Sequence, residues 1–320
     1  MKALRFENNE LKLTEIGRPE KYGEATVRIV LSGICNTDLE IVRGYAGFEG
    51  TIGHEFVGVV ENATDAPDLI GKRVVGEINA GCGVCGLCKN GDSRHCPNRT
   101  VLGIVGRDGA HADFLALPTR NLIAVPDEIT DEQAVFAEPL AAAFGIIEQV
   151  EILPETRVAI VGDGKLGLLC AQSLALKSKN VFLVGKHVEK MRIAGASGVE
   201  IVLLNRAAKL NRNFDVAVEA SGSESGFNTA LDLLKPRGKL ILKSTFHGEP
   251  KWQAARVVVD EITIVGSRCG RFAPALELLK HKAIDVESMI TEEFPLEKGI
   301  RAMERAAERG VLKVLLRPDN

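Results

Sequence analysis

The alternation of apolar and polar positions changes texture twice along the chain. Residues 1–137 carry short β-like runs, Thr26–Leu31, Val57–Glu61, Arg73–Glu77 and Leu122–Val125, punctuated by Gly, Pro and Asn. They predict a β-rich unit with long loops. From about residue 139 to 270 strand and helix patterns alternate. The strands are Arg157–Val161, Asn180–Val184, Glu200–Leu204, Phe214–Glu219, Lys239–Lys243 and Ile262–Val265. Near-continuous Val/Ile/Leu runs of this kind, several with a helical stretch between them, predict a parallel sheet buried on both faces. Residues 271–320 then predict two helices, Ala273–Lys282 and Leu296–Glu308, and a short strand, Lys313–Arg317.

Composition narrows the class. The 320 residues are 45% hydrophobic and 26% charged, the balance of a soluble globular chain of roughly two domains. A net charge of −3 gives no reason to expect nucleic acid or an anionic membrane as partner. The opening MKALRFENNELKLTE mixes charged and apolar residues throughout, unlike a signal peptide. Apolar stretches such as Val158–Val161 and Val257–Val259 are too short to cross a bilayer. A cytoplasmic location is expected.

The cysteines change the picture. Of seven, Cys82, Cys85, Cys88 and Cys96 crowd into one short segment, while Cys35, Cys170 and Cys269 stand alone. An odd, clustered set without a secretion signal points to metal, not disulfides. Four thiolates on a glycine-rich lobe (residues 81–98) can close a tetrahedron around one structural zinc and leave no open position. An iron–sulfur cluster or reduced surface thiols are the alternatives.

A nucleotide signature follows the first strand of the alternating region. Arg157–Val161 runs into Gly162-Asp163-Gly164-Lys165-Leu166-Gly167, and an apolar helical pattern begins there. In that setting Gly162 permits a tight turn, Gly164 lets backbone approach a pyrophosphate, and Gly167 lets helix and strand pack closely. The next strand ordinarily ends in an acid for the adenosine ribose. Here the position is Gly185, followed by Lys186 and His187. The missing charge and the two cationic side chains suit a 2′-phosphate, so NADP is expected, with NAD as the alternative. On the plainer reading Lys186 and His187 are solvated loop residues.

A second metal site requires distant pieces: Cys35 after a strand, His54 and Glu55 in Gly-His-Glu, and Glu138 where the two textures meet. One Cys, one His and one carboxylate would hold a zinc with an open position. Singly, each has another reading: a buried thiol, a hydrogen-bonded histidine, a helix N-terminal charge. No spacing rule links them.

Taken together, GICNTDLEIVRG, IGHEFVGVV, CGVCGLCKNGDSRHCPN, AEPLA, VAIVGDGKLG and VEASGS resemble the medium-chain zinc-dependent alcohol dehydrogenase family, near its polyol and sugar (sorbitol, glucose, threonine) dehydrogenase branch. The resemblance spans essentially the whole chain. It implies an α/β chain with a GroES-like β-rich catalytic domain (1–138 and 271–320) and a Rossmann, doubly wound parallel-sheet domain (139–270). It implies two zinc ions per chain. Cys35 and His54 match catalytic ligands, Glu138 is the third, and Glu55 is the alternative inner ligand. Thr37 matches the hydroxyl that starts the proton relay, and Asp38 the carboxylate that orients the ligating histidine. Glu40 stands where the relay's outer residue is often histidine. Hydride transfer between a secondary alcohol, polyol or sugar and a nicotinamide cofactor is the implied reaction, in a homodimer or homotetramer. Tyr45, Phe48, Ile104, His111 and Phe272 are candidates for the pocket wall. The competing functions are a catalytically silent dinucleotide-binding relative and a zinc-free quinone or enone reductase. The retained Cys35, Thr37, Asp38, His54 and Glu138 argue against the first, because binding alone needs none of them.

Overall fold

Residues 1–20, 23–245, 251–252 and 254–319 are described by the structure, a computed structural model. The chain splits into two compact units: Met1–Glu138 with Phe272–His281 and Ile290–Asn320, and Pro139–Arg271 with Lys282–Met289.

The first unit is built from β1 (Lys2–Glu7), β2 (Glu10–Glu15), β3 (Glu24–Gly33), β4 (Gly50–Thr51), β5 (Glu55–Asn62), β6 (Arg73–Gly76), β7 (Asn79–Ala80), β8 (Thr100–Val101), β9 (Phe114–Pro118) and β10 (Leu122–Ala124). Short helices α1 (Asn36–Val42) and α2 (Gly86–Lys89) lie between them, α3 (Asp131–Ala134) follows β10, and α4 (Ala137–Phe144) continues into the second unit. β3 is the backbone of this unit. It pairs antiparallel with β5 and with β9, and every other inward residue (Ala25, Val27, Ile29, Leu31) is fully buried. Ile29, Phe56, Val74, Leu115 and Leu117 form one apolar cluster, and Leu4, Phe6, Ile34, Ile41 and Leu316 belong to another. The β1–β2 hairpin turns at Asn8 and Asn9, both at positive φ (51° and 59°), as a two-residue turn matching strand twist requires.

The second unit holds β11 (Arg157–Val161), α5 (Lys165–Ala175), β12 (Asn180–Gly185), α6 (Val188–Gly195), β13 (Glu200–Leu203), β14 (Phe214–Glu219), α7 (Glu224–Leu233), β15 (Leu234–Leu242), α8 (Ala254–Val259) and β16 (Thr263–Gly266). All neighbours in its sheet are parallel, in the order β13-β12-β11-β14-β15-β16. This is the doubly wound Rossmann order, which reverses direction between β11 and β14, where such sheets receive nucleotides. A 3-10 segment (Leu204–Leu210) takes the place of the expected helical crossover between β13 and β14. Residues 282–289 join this unit: Gln172 Nε2 donates to Asp285 O (3.1 Å), and Asp285 N–H donates to Gln172 Oε1 (2.8 Å).

The remaining elements return to the first unit: α9 (Phe272–Lys280), β17 (Ile290–Pro295), α10 (Gly299–Ala306) and β18 (Lys313–Arg317). β18 pairs with β3 at Gly33 and Ser32, which completes a seven-stranded sheet. Among the described residues no helix is long and apolar enough to cross a membrane.

Candidate active site

Strand pairing explains how distant residues meet. In the β3–β5 register Gly33 lies opposite Glu55, and in the β3–β18 register it lies opposite Leu315. Cys35, two residues past the end of β3, caps α1, and His54 immediately precedes β5. The ligand atoms of Cys35, His54 and Glu55 consequently lie within 4.8 Å of one another. Glu138 is not drawn into that group by the same measure. It stands at the start of α4, and burial pushes its carboxyl up to about 7, with His54 and Lys313 opposing and Glu55 and Glu77 adding to the rise.

Asp38 organises the group from behind. Its Oδ2 accepts from Cys35 N–H (2.7 Å) and its Oδ1 from Gly53 N–H (3.1 Å). His54 Nδ1 lies 3.3 Å from Asp38 Oδ1, which leaves Nε2 as the nitrogen for a ligand. Burial lowers the pKa of His54, but the charges of Asp38 and Cys35 outweigh it and raise the imidazole above its ordinary value. Burial likewise opposes ionisation of Asp38, and His54 and His111 reverse that effect, keeping its carboxyl below the ordinary range. Three donor atoms converging within 4.8 Å of one another, two of them from buried side chains, make a pocket that a divalent cation fits. Its sulfur, nitrogen and carboxylate donors are those of a zinc site with room for another ligand.

Around this group, Thr37 Oγ1 lies 3.7 Å from Cys35 Sγ. Glu40 pairs with Arg43 at 2.8 Å. His111 is fully buried; its Nδ1 is 2.9 Å from Ser32 Oγ and its Nε2 3.6 Å from Asp38 Oδ2. Tyr45, Phe48 and Ile104 pack with the Leu4 cluster, and Phe272 is buried in α9. Lys313, from β18, is an unforeseen member: its ammonium is ion-paired with Glu55, both side chains being 1% exposed. Gly33 leaves the space they use, since a β-carbon there would stand 2.7 Å from Glu55 Oε2. A lysine opening an otherwise apolar strand, Lys-Val-Leu-Leu, was the available signal.

The sulfurs of Cys82, Cys85, Cys88 and Cys96 also lie within 4.8 Å of one another. Backbone N–H groups of Val84 and Cys85, then Cys96, bring Cys82 down to about 6, while burial and the neighbouring sulfurs push Cys88 up to about 11. Four thiols so close cannot all ionise without a cation, and the set suits a closed zinc site.

In the second unit Gly164 caps α5, whose first residues are Lys165, Leu166 and Gly167. Gly162 has φ +124°, and a β-carbon on Gly167 would fall 1.9 Å from Gly162 O. At the end of β12, Gly185 is walled in by Asp163, which also binds the N–H groups of Lys186 and His187. The premise that this place lacks an acid therefore needs amending. No sequence rule ties Asp163, a residue inside the glycine motif, to the end of the second strand; the contact comes from tertiary placement.

Comparison with known proteins now adds to the geometry. Residues 21–127 match the alcohol dehydrogenase GroES-like domain, and residues 166–281 match the zinc-binding dehydrogenase family. Sorbitol dehydrogenase of Halalkalibacterium halodurans is 28% identical, over 94% of this chain and 93% of that protein. A protein of Sinorhizobium meliloti 1021 described as a zinc-binding dehydrogenase, bound to NADP, is 26% identical with a TM-score of 0.89, covering 99% of both chains. An alcohol dehydrogenase of Escherichia coli CFT073, complexed with NADH, is 26% identical with a TM-score of 0.90, again covering 99% of both. With a GroES-like unit, a Rossmann unit and the motifs in their expected order, the chain belongs to the medium-chain zinc-dependent alcohol dehydrogenase family, as an oxidoreductase of the NAD(P)-dependent alcohol dehydrogenase type.

Proposed function

We propose that this chain transfers hydride between a secondary alcohol, polyol or sugar, or the matching carbonyl, and a nicotinamide dinucleotide. The observation that carries the reading is the Cys35–His54–Glu55 group with Asp38 behind His54. Cys35, His54 and a carboxylate, Glu138 with Glu55 as its alternate, would hold one zinc, and the four-cysteine lobe a second. When bound, the catalytic metal supplies Lewis acidity that makes an alcohol easier to ionise near neutral pH. Asp38, whose Oδ1 lies 3.3 Å from His54 Nδ1, would face that nitrogen and leave Nε2 for the ligand position. Thr37 Oγ1, 3.7 Å from Cys35 Sγ, would take up the substrate proton, with Glu40 as the proposed outer residue of the relay. Gly162, Gly164 and Gly167 shape the turn that receives the pyrophosphate, and the cofactor supplies the hydride chemistry.

NADP and NAD are both candidates: the side chains of Lys186 and His187 favour the first, and the Asp163 carboxylate held beside them favours the second. The catalytic domain is proposed as 1–138 and 271–320 and the nucleotide domain as 139–270, with Arg271 and residues 282–289 packing with the latter. A homodimer or homotetramer is supported by β16, an edge strand with Ile264 exposed, near exposed Val258 and Val259.

The test is metal analysis together with reduction of NAD and NADP, followed at the nicotinamide absorbance with a panel of alcohols, polyols and sugars. Two zinc ions per chain and turnover of at least one polyol support the reading. A folded chain that binds dinucleotide but turns over nothing would be a silent relative. A zinc-free chain that reduces quinones or enones would overturn the metal assignment.

A further inference from the structure

Gly185 occupies the position from which a strand-end acid ordinarily reaches the adenosine ribose, yet the place is filled. A β-carbon on Gly185 would stand 2.6 Å from Cβ of Asp163, 2.7 Å from its Oδ2, and 2.7 Å from Sδ of Met191. Asp163 Oδ2 accepts from Lys186 N–H and His187 N–H, at 2.6 Å each, and lies 3.0 Å from His187 Nδ1. The Asp163 side chain is only 14% exposed. Tied by two backbone donors, the carboxylate cannot swing away from the end of β12. The two N–H groups it consumes are also lost to any phosphate arriving there.

We infer that Asp163 is the acid of the ribose site, supplied from the glycine turn in place of the strand end, and that its charge moves cofactor choice toward NAD. The inference rests on the reading of this unit as a dinucleotide site. A 2′-phosphate beside this carboxylate meets a fixed like charge, and the exposed Lys186 is the nearby cation that offsets it. A ribose with free hydroxyls meets an acceptor instead, since the three contacts all fall on Oδ2 and Oδ1 remains for a ligand. Gly185 is then required for space and not for lack of charge. An acid introduced there collides with the one already present.

The experiment compares the parent with Asp163→Asn, which keeps the size and an acceptor oxygen but removes the charge. kcat/KM is measured with NAD and NADP, and calorimetry gives Kd for 5′-ADP and 2′,5′-ADP. Loss of one charge-assisted interaction should raise the NADP-to-NAD ratio about tenfold, and the 2′,5′-ADP affinity should rise in parallel relative to 5′-ADP. Asp163→Ser, smaller and neutral, should shift both ratios in the same direction. Gly185→Ala should weaken both nucleotides alike and leave the ratio unchanged. If the parent binds nucleotide and neither Asp163 variant moves the ratio, the inference is overturned while the dinucleotide reading stands. A parent that binds neither nucleotide overturns both.

Discussion

Glu55 and Lys313 lie 258 positions apart in sequence and are ion-paired at the centre of one sheet, each side chain 1% exposed. Glu55 also belongs to the group with Cys35 and His54, so the lysine and a cation bound there would compete for one carboxylate. Removing one partner of a buried pair leaves an uncompensated charge, at about 3–5 kcal/mol. Lys313→Met should therefore melt well below the parent in zinc-free buffer and recover a larger part of the loss than the parent gains when zinc is added. Melting curves with and without zinc check this; equal zinc-induced shifts in the two proteins would show that Glu55 does not turn to metal.

The four-cysteine lobe is expected to hold a zinc that supports folding. Cys88→Ser leaves three sulfurs, and a structural zinc contributes folding free energy directly. The variant should melt lower or lose solubility and retain about one zinc per chain, with turnover per folded molecule preserved. Unchanged melting and unchanged zinc content would remove the assignment.

The two candidate carboxylates make opposite predictions. If Glu138 is the third ligand, Glu138→Gln should lose about one zinc and most turnover, a larger loss than the ~10–100-fold typical of residues that merely orient a ligand. Glu55→Gln should then keep its zinc. The reverse result would assign the metal to Glu55, the carboxylate that the structure places within 4.8 Å of Cys35 and His54.

Asp163 also gives a pH signature. Burial works against its ionisation, but the N–H groups of His187 and Lys186 and the His187 ring prevail and lower its carboxyl below the ordinary value. A lowered folded value means a stabilisation fully present above the unfolded aspartate value of ~3.9 and lost as pH falls through the folded one. The melting-temperature gap between the parent and Asp163→Asn should be constant above about pH 5 and close on acidification. A gap that widens in acid would contradict the hydrogen-bonded, ionised carboxylate.

The parallel sheet was the most legible part of the chain. Strands buried on both faces need unbroken apolar runs, and Arg157–Val161 and Phe214–Glu219 have the bounds that their patterns predict. The β1–β2 hairpin is hard to see in the sequence, because no residue of β2 is fully buried and its polar alternation looks like loop; the Asn8-Asn9 pair is its turn signal. The cysteine lobe announces itself by local spacing. The meeting of Cys35 with Glu55 does not, because it depends on antiparallel register, and only the family resemblance suggested it. Lys313 and Asp163 act through tertiary placement alone, which no short-range pattern encodes.

The position of β18 has a consequence for assembly during synthesis. Chains emerge at roughly 5–20 residues per second and fold from the N-terminal end as units complete. β3 and β5 emerge early, yet the strand that flanks β3 and delivers Lys313 emerges only after the whole nucleotide-binding stretch. On the ribosome, Cys35 and the Gly-His-Glu segment therefore wait through most of translation with their sheet unfinished. If Cys35 and His54 hold zinc, that thiol and imidazole are exposed to it before the buried lysine arrives to claim Glu55, and metal capture would have its widest kinetic opening in the nascent chain.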